Sequence, residues 1–226
     1  MINKYLCTIV VGLVLFTGVH AQKDLLPKKL EVLRDSASYA MGVSIGQSLS
    51  SRYPEMDIDL LLKGCRDAFS GKDSVMRSEA VNAIIKKYLK EQTRIQGIQN
   101  REEGERFLKE NAKKEGVITT ASGLQYIVLI QGTGEKPLPG NRVKVNYVGT
   151  LLNGKEFDNS YKRGQPAEFD LATVIKGWIE ALQLMPVGSK YKLFIPSELG
   201  YGEIGMGSSI PPNSVLVFEL ELLEIF

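Results

Sequence analysis

The chain has 226 residues, with 28 Lys and Arg against 26 Asp and Glu, one His and two Cys. That length suits one large or two small domains, and so even a charge balance removes the electrostatic reason to expect nucleic acid, whose backbone rewards a basic excess. A single histidine, His20, leaves no material for a Ser-His-Asp triad, a Cys-His pair or a His-based zinc site in anything downstream of it.

The N-terminal stretch reads as a leader. Lys4 stands in a short basic start, Leu6 to Val19 is apolar, and Val19-His20-Ala21 offers a small-residue cleavage site before Gln22. The apolar run is short for a membrane span, so residues 1–21 are expected to be a secretory signal peptide. Cleavage would remove His20 and Cys7 and leave Cys65 as the sole cysteine. A buried free thiol is the expectation there, with a disulfide between two subunits as the alternative. No glycine loop precedes a Lys-Ser/Thr pair, and Gly132-Thr133-Gly134 reads as a turn, so neither cofactor nor metal is expected.

From Leu30 to about Gly116 the apolar pattern is helical. Leu30, Leu33, Ala37, Ala40, Met41, Ile45, Ser48 and Leu49 fall on one stripe, and Pro54 breaks that helix. Asp57 is positioned to cap a second helix carrying Leu60, Leu61, Cys65, Ala68 and Phe69, with Gly71 at its end. Ser78 is expected to cap a third, striped by Val81, Ile84, Ile85, Tyr88 and Leu89. Between Gln99 and Arg106 this third helix turns charged or amide-bearing. It therefore reads as a solvated linker, bent at Gly97 or Gly104 and stopped at Gly116. Helices with so little apolar surface make a thin core alone, and pairing with a second copy is the favoured remedy over a monomeric cap.

After Thr119 the period becomes two. Leu124, Tyr126 and Val128 alternate with Gln125, Ile127 and Leu129, and Val143, Val145 and Tyr147 with Lys144, Asn146 and Val148; Leu216, Phe218, Leu220 and Leu222 repeat the pattern against Val217, Glu219, Glu221 and Leu223. Turns are marked by Pro139-Gly140-Asn141, by Pro186-Val187-Gly188 and by Asn153-Gly154, the last as a hairpin with both central residues at positive φ. One short helix, Thr173 to Leu184, interrupts the strands. The expected architecture is α+β: an antiparallel half-barrel wrapped on one short helix, preceded by an all-α domain that ends in a long helix. The boundaries are 1–21, 22–116 and 117–226.

Several residues in the second half have plain structural readings when taken singly. Trp178 reads as a core anchor, Asp158 as a turn residue, Tyr201 between glycines as a tight loop, and Phe169 and Phe218 as inward strand positions. As a set they say more. Val145-Asn146-Tyr147-Val148-Gly149, Phe157-Asp158-Asn159-Ser160, Val174-Ile175-Lys176-Gly177-Trp178, Gly200-Tyr201-Gly202 and Ile210-Pro211-Pro212-Asn213 resemble, in order and approximate spacing, an FKBP-type peptidyl-prolyl cis-trans isomerase domain. The helical half, through Tyr39-Ala40-Met41-Gly42 and the helix leading into Ser122-Gly123-Leu124-Gln125-Tyr126, is similar to the dimerising domain of the secreted, Mip-like FKBPs of Gram-negative bacteria.

That resemblance implies a catalytic set of Asp158, Tyr201, Trp178 and Phe218. Trp178 would form the floor, Tyr147, Phe157, Val174, Ile175 and Phe218 the walls, with Phe169 beside them and Tyr201 and Ile210 at the rim. Arg163 and Tyr147 would hold the Asp158 carboxylate, and the Tyr201 hydroxyl and Ile210 N–H would meet substrate carbonyls. Ala167, where an aromatic is common, and the glycine-rich loop Glu203–Ser209 depart from the single-domain pattern and bear on substrate preference. The implied substrates are Xaa-Pro bonds in unfolded or partly folded polypeptides outside the cytoplasm, periplasmic or secreted, with outer-membrane association an open alternative. Macrolide-type inhibitors and a homodimer through the N-terminal helices are the implied partners. The rival function is a polypeptide-binding chaperone with little turnover.

Overall fold

The computed structural model describes residues 33–71 and 76–226. The leader expected at 1–21, together with Leu30, lies outside the described residues. The chain divides into two compact units at Met76 and Arg77.

The first unit contains α1 (Leu33–Arg52) and α2 (Ile58–Phe69). Helix α1 stops ahead of Pro54, because the residue before a proline is pushed out of the helical region. Asp57 caps α2 as expected, its Oδ1 accepting from the Asp59 and Leu60 N–H groups at 3.0 Å. Gly71 follows the helix at φ 63°. Neither helix buries a residue: Leu33 is 85% exposed, Met41 67%, Leu60 66% and Phe69 94%. Cys65 is likewise exposed, contrary to the buried thiol expected, because these helices have no core of their own to receive it. Among the described residues, no helix is long and apolar enough to cross a membrane.

The second unit begins with α3 (Ser78–Asn111). Arg77 holds the N-cap position without a side-chain bond, so Ser78 is the first helical residue rather than the cap. The helix runs through both internal glycines and ends at Asn111, before Gly116; Gly116, at φ 78°, instead turns the chain into the sheet. It is also not polar all round. Gly97, Gly104 and Asn111, at heptad spacing, are buried. A Cβ on Gly104 would meet Val215 Cγ2 at 2.7 Å, and one on Gly97 would meet Pro212 Cβ at 3.1 Å. The seam is built of absent side chains and amides, which hydropathy does not register.

Seven strands form one antiparallel sheet: β1 (Ile118–Thr119), β2 (Gln125–Ile130), β3 (Arg142–Leu151), β4 (Glu156–Asn159), β5 (Ala167–Asp170), β6 (Lys190–Ile195) and β7 (Leu216–Ile225). The order is β1-β2-β6-β7-β3-β4, with β5 pairing β3 alongside β4. Burial alternates strictly along β3 and most of β7, which sends Val143, Val145, Tyr147, Leu216, Phe218, Leu220 and Leu222 to one face. There they pack on α4 (Lys176–Leu184) through Trp178, Ala181 and Leu182.

The opposite face of β2 and β6 is covered by the end of α3. Gln125, which alternates with Leu124 and Tyr126, is itself only 3% exposed: its Nε2 donates to Leu108 O at 2.8 Å and its Oε1 accepts from Asn111 Nδ2 at 3.0 Å. Phe107 lies 5.7 Å from Phe194, ring to ring. At the β3–β4 hairpin only Gly154 takes positive φ, at 81°, and Asn153 does not. A three-residue loop accounts for this: Gly154 N–H donates to Leu151 O at 2.9 Å, Leu151 N–H to Lys155 O at 3.0 Å, and Asn153 Oδ1 accepts from Lys155 N–H at 3.0 Å.

Candidate active site

A cavity of about 260 Å³ opens between the concave face of the sheet, α4 and the loop after Tyr201. Trp178 forms its base. It is 4% exposed and meets the rings of Tyr147, Phe169 and Phe218 edge-on, at centroid separations of 4.9, 5.5 and 5.2 Å. Phe157 stands edge-on to Phe218 at 5.4 Å. Tyr147 and Phe218 come from β3 and β7, where period two aims them inward. Phe157 and Phe169 come from β4 and β5, and Val174 and Ile175 from the entry to α4. These edge-to-face rings wall an apolar basin. Among the described residues the Trp178 Nε1–H is buried without a hydrogen-bond partner.

The polar edge is compact. Tyr147 Oη–H donates to Asp158 Oδ2 at 2.5 Å, Arg163 Nη1 donates to Asp158 Oδ1, and Arg163 Nη2 donates to Tyr147 Oη at 2.8 Å. The guanidinium also lies 5.3 Å from the Tyr147 ring centre. Arg163 thus holds the cavity's polar edge without lining the cavity, at the end of a short 3-10 turn over Tyr161–Arg163. Burial acts to raise the Asp158 carboxyl, but hydrogen bonds from Tyr147, Arg163 and the Asn159 N–H outweigh it and hold the group below its ordinary value. Burial, helped by the bond to Asp158, pushes the Tyr147 phenol up to about 12. Asp158 is therefore a carboxylate and Tyr147 a neutral phenol throughout the physiological range.

Tyr201 lines the cavity with its hydroxyl unpartnered among the described residues; burial, and then the Asp158 charge, raises it. Ile210 departs from expectation. It is 1% exposed and does not line the cavity, and its N–H donates to Met206 O at 3.2 Å. The reason is a short hairpin in which Met206 pairs with Ile210, so that Met206 takes the rim and Ile210 lies behind it. Among the described residues the Ile175 N–H, at the N-cap of α4 and on a residue that lines the cavity, makes no hydrogen bond.

Sequence reasoning missed Thr173 and Met206 on the cavity wall. It also missed Ser160, fully buried, whose Oγ accepts from the Tyr147 N–H at 2.9 Å and whose N–H donates to Tyr147 O at 3.0 Å. Ser160 fixes the backbone of the residue that holds Asp158, a role visible only once β3 and β4 are paired.

Residues 133–223 match the family model for FKBP-type peptidyl-prolyl cis-trans isomerase, and residues 34–128 match the domain amino terminal to it. The chain belongs to the FKBP-type peptidyl-prolyl cis-trans isomerase family. It is 48% identical over 199 residues to the FKBP-type 22 kDa peptidyl-prolyl cis-trans isomerase of Escherichia coli K12, covering 86% of this chain and 97% of that one. It is 34% identical over 229 residues to the outer membrane protein MIP of Legionella longbeachae, covering 98% and 97%. The crystal structure of FkpA from Escherichia coli superposes with a TM-score of 0.64 at 37% identity, over 87% of this chain and 98% of that one. This FKBP-type isomerase acts on proline-containing polypeptides, and its α+β architecture is shared with that structure.

Proposed function

We propose that catalysis resides in the aromatic cavity and uses no proton transfer. Rotation about an Xaa-Pro bond crosses a barrier of about 18–20 kcal/mol set by amide resonance. At the twisted midpoint that resonance is lost and the carbonyl oxygen carries less negative charge. An apolar basin disfavours the charge-separated planar amide relative to the twisted one, and only that difference accelerates the reaction. A preference of about 4 kcal/mol corresponds to roughly a thousandfold.

In this reading the proline ring rests on Trp178 between Phe169, Phe218 and Tyr147. The Tyr201 hydroxyl and the Ile175 N–H take substrate carbonyls, and Asp158, with Arg163 behind it, polarises the surroundings of the rotating one. A macrolide-type inhibitor would occupy the same basin. The single observation that carries the proposal is a cavity walled by aromatics whose ionisable lining residues, Tyr147, Asp158 and Tyr201, keep one protonation state over the working range.

The pH profile tests it. The carboxyl of Asp158 lies below its ordinary value when folded, so its contribution is intact above the usual carboxylate range and lost as pH falls through that lowered value. Tyr147 is raised, so the neutral phenol contributes fully below its ordinary value near 10 and is lost as pH rises through about 12. A peptide isomerisation assay is therefore expected to give a flat kcat/KM between these limits. A bell with an apparent pKa near 7 would show a titrating catalyst and overturn the proposal. A folded chain with no turnover on several residues before proline would instead favour the chaperone reading.

We also place the protein outside the cytoplasm, periplasmic or secreted, as a homodimer through α1 and α2. The leader-like residues 1–21 and the name of the Legionella relative support the location; the exposed apolar faces of both helices support a second copy as their cover. A dimer would present two cavities to one client and raise its effective concentration. Sedimentation equilibrium is expected to give twice the mass of one chain, and Ile45→Glu with Leu60→Glu to give one. A monomeric parent would refute the pairing.

A further inference from the structure

The loop that carries the rim of the cavity is closed on itself and then tied to helix α3. Its neck is shut by Asn213 N–H donating to Gly202 O at 2.8 Å, and its tip is the Met206–Ile210 hairpin. Tyr201 stands just before the neck and Met206 at the tip, and both face the cavity. Gly202, Gly205 and Gly207 all have positive φ. Such a glycine-rich segment has many alternatives to its observed shape, so something outside it must select that shape.

Asn213 supplies the tie. It is the one non-glycine residue with positive φ among the described residues, at 55°, a region that asparagine tolerates better than most. In that conformation its Nδ2 donates to Gly97 O at 3.0 Å, using the carbonyl's second lone pair, and its Oδ1 accepts from Arg101 Nη2 at 3.4 Å. Asn100 Nδ2, one turn along, donates to Pro212 O at 2.8 Å. Arg101 Nη2 also reaches Glu203 Oε1 at 2.6 Å, on the loop's outer limb. The bare Gly97 backbone lets Pro212 approach closely: a Cβ there would lie 3.1 Å from Pro212 Cβ, tighter than ordinary contact. Neither Asn100 nor Asn213 touches the cavity.

We propose that Asn100 and Asn213 are positioning residues for the isomerase: by anchoring the 201–213 loop to α3 they hold Tyr201 and Met206 over the proline site. The second half of α3 is then a working part of the catalytic unit rather than a spacer. The proposal rests on the aromatic cavity being the prolyl pocket, which turnover by the parent chain tests separately.

The experiment uses the full chain with Asn213→Gly, which keeps the positive φ and removes both side-chain bonds, and with Asn100→Ala. Each is made with and without Tyr201→Phe. Folding is checked by circular dichroism and melting temperature. Each anchor variant is expected to lower kcat/KM by about fivefold to tenfold, because small misplacements of groups at a site are costly to rate. In the Tyr201→Phe background the loss is expected to shrink to about twofold, since the anchor can no longer aim a hydroxyl that is gone. If Asn213→Gly does not fold, Asn100→Ala, which removes the half-buried bonds to Pro212 O and Ser214 Oγ, carries both readouts. Folded variants that turn over like the parent would overturn the proposal, as would an equal loss with and without the Tyr201 hydroxyl. A parent without turnover would overturn the pocket reading and this proposal with it.

Discussion

Replacing Trp178 by Ala is expected to lower the free energy of unfolding by about 3–5 kcal/mol, the usual cost of deleting a large buried aromatic. The indole is 4% exposed and is the common neighbour of Tyr147, Phe169 and Phe218, so its removal takes one edge contact from each of three rings. The catalytic effect is separate. A proline ring that loses ~50 Å² of apolar contact loses about 1.3 kcal/mol of binding, or roughly tenfold in kcat/KM if that contact is made in the transition state. Trp178→Leu keeps an apolar plug and is expected to retain more stability than Ala while losing similar activity. Urea melts must be followed by circular dichroism, because Trp178 is the only tryptophan. A folded Leu variant with unchanged kcat/KM would remove the indole from the proposed site.

The second large effect is expected from a single methyl group. Gly149→Ala would place a Cβ 2.6 Å from Phe157 Cε2 and 2.7 Å from Phe218 Cε1, between two rings that wall the cavity. Gly149 sits in β3 opposite Asp158 of β4 and Phe218 of β7, so the strand cannot retreat without breaking pairs on both sides. Its φ is not positive, so the backbone would accept alanine, and by chain entropy alone the change would stabilise. Packing opposes this: overfilling of this kind costs about 1–3 kcal/mol. The rings must also part, and kcat/KM is expected to fall by about ten- to a hundredfold. A stabilised, fully active Gly149→Ala would show that the walls yield freely.

Much of this molecule is legible in its amino-acid pattern. Period two along Val143–Leu151 and Leu216–Leu222 matches the buried face because one side of those strands meets α4 and the other meets mainly water. Proline and glycine turns mark their ends, and Asp57 caps α2 by a bond within its own neighbourhood. Strand β6 is harder to see. Leu193, Phe194 and Ile195 are all buried, which hides the alternation, and they are buried on both faces because α3 lies over Phe194. Ser78 fails as a cap because the extended N-cap position falls one residue earlier, on Arg77, which leaves Ser78 inside the helix.

The site divides in the same way. The aromatic residues and their order belong to the sequence, since strand period and the approach to α4 decide where each ring points. That Ile210 retires behind Met206, that Asn213 grips Gly97 and Gln125 the end of α3, and that Gly104 and Gly149 are gaps filled by a neighbour's side chain were decided by tertiary packing alone. The physical reason is range. Periodicity, caps and turns act over a few residues and leave a mark in composition. A hydrogen bond between residues far apart in the chain, or a hole shaped by its neighbour, leaves only a glycine or an amide that looks at home on the surface.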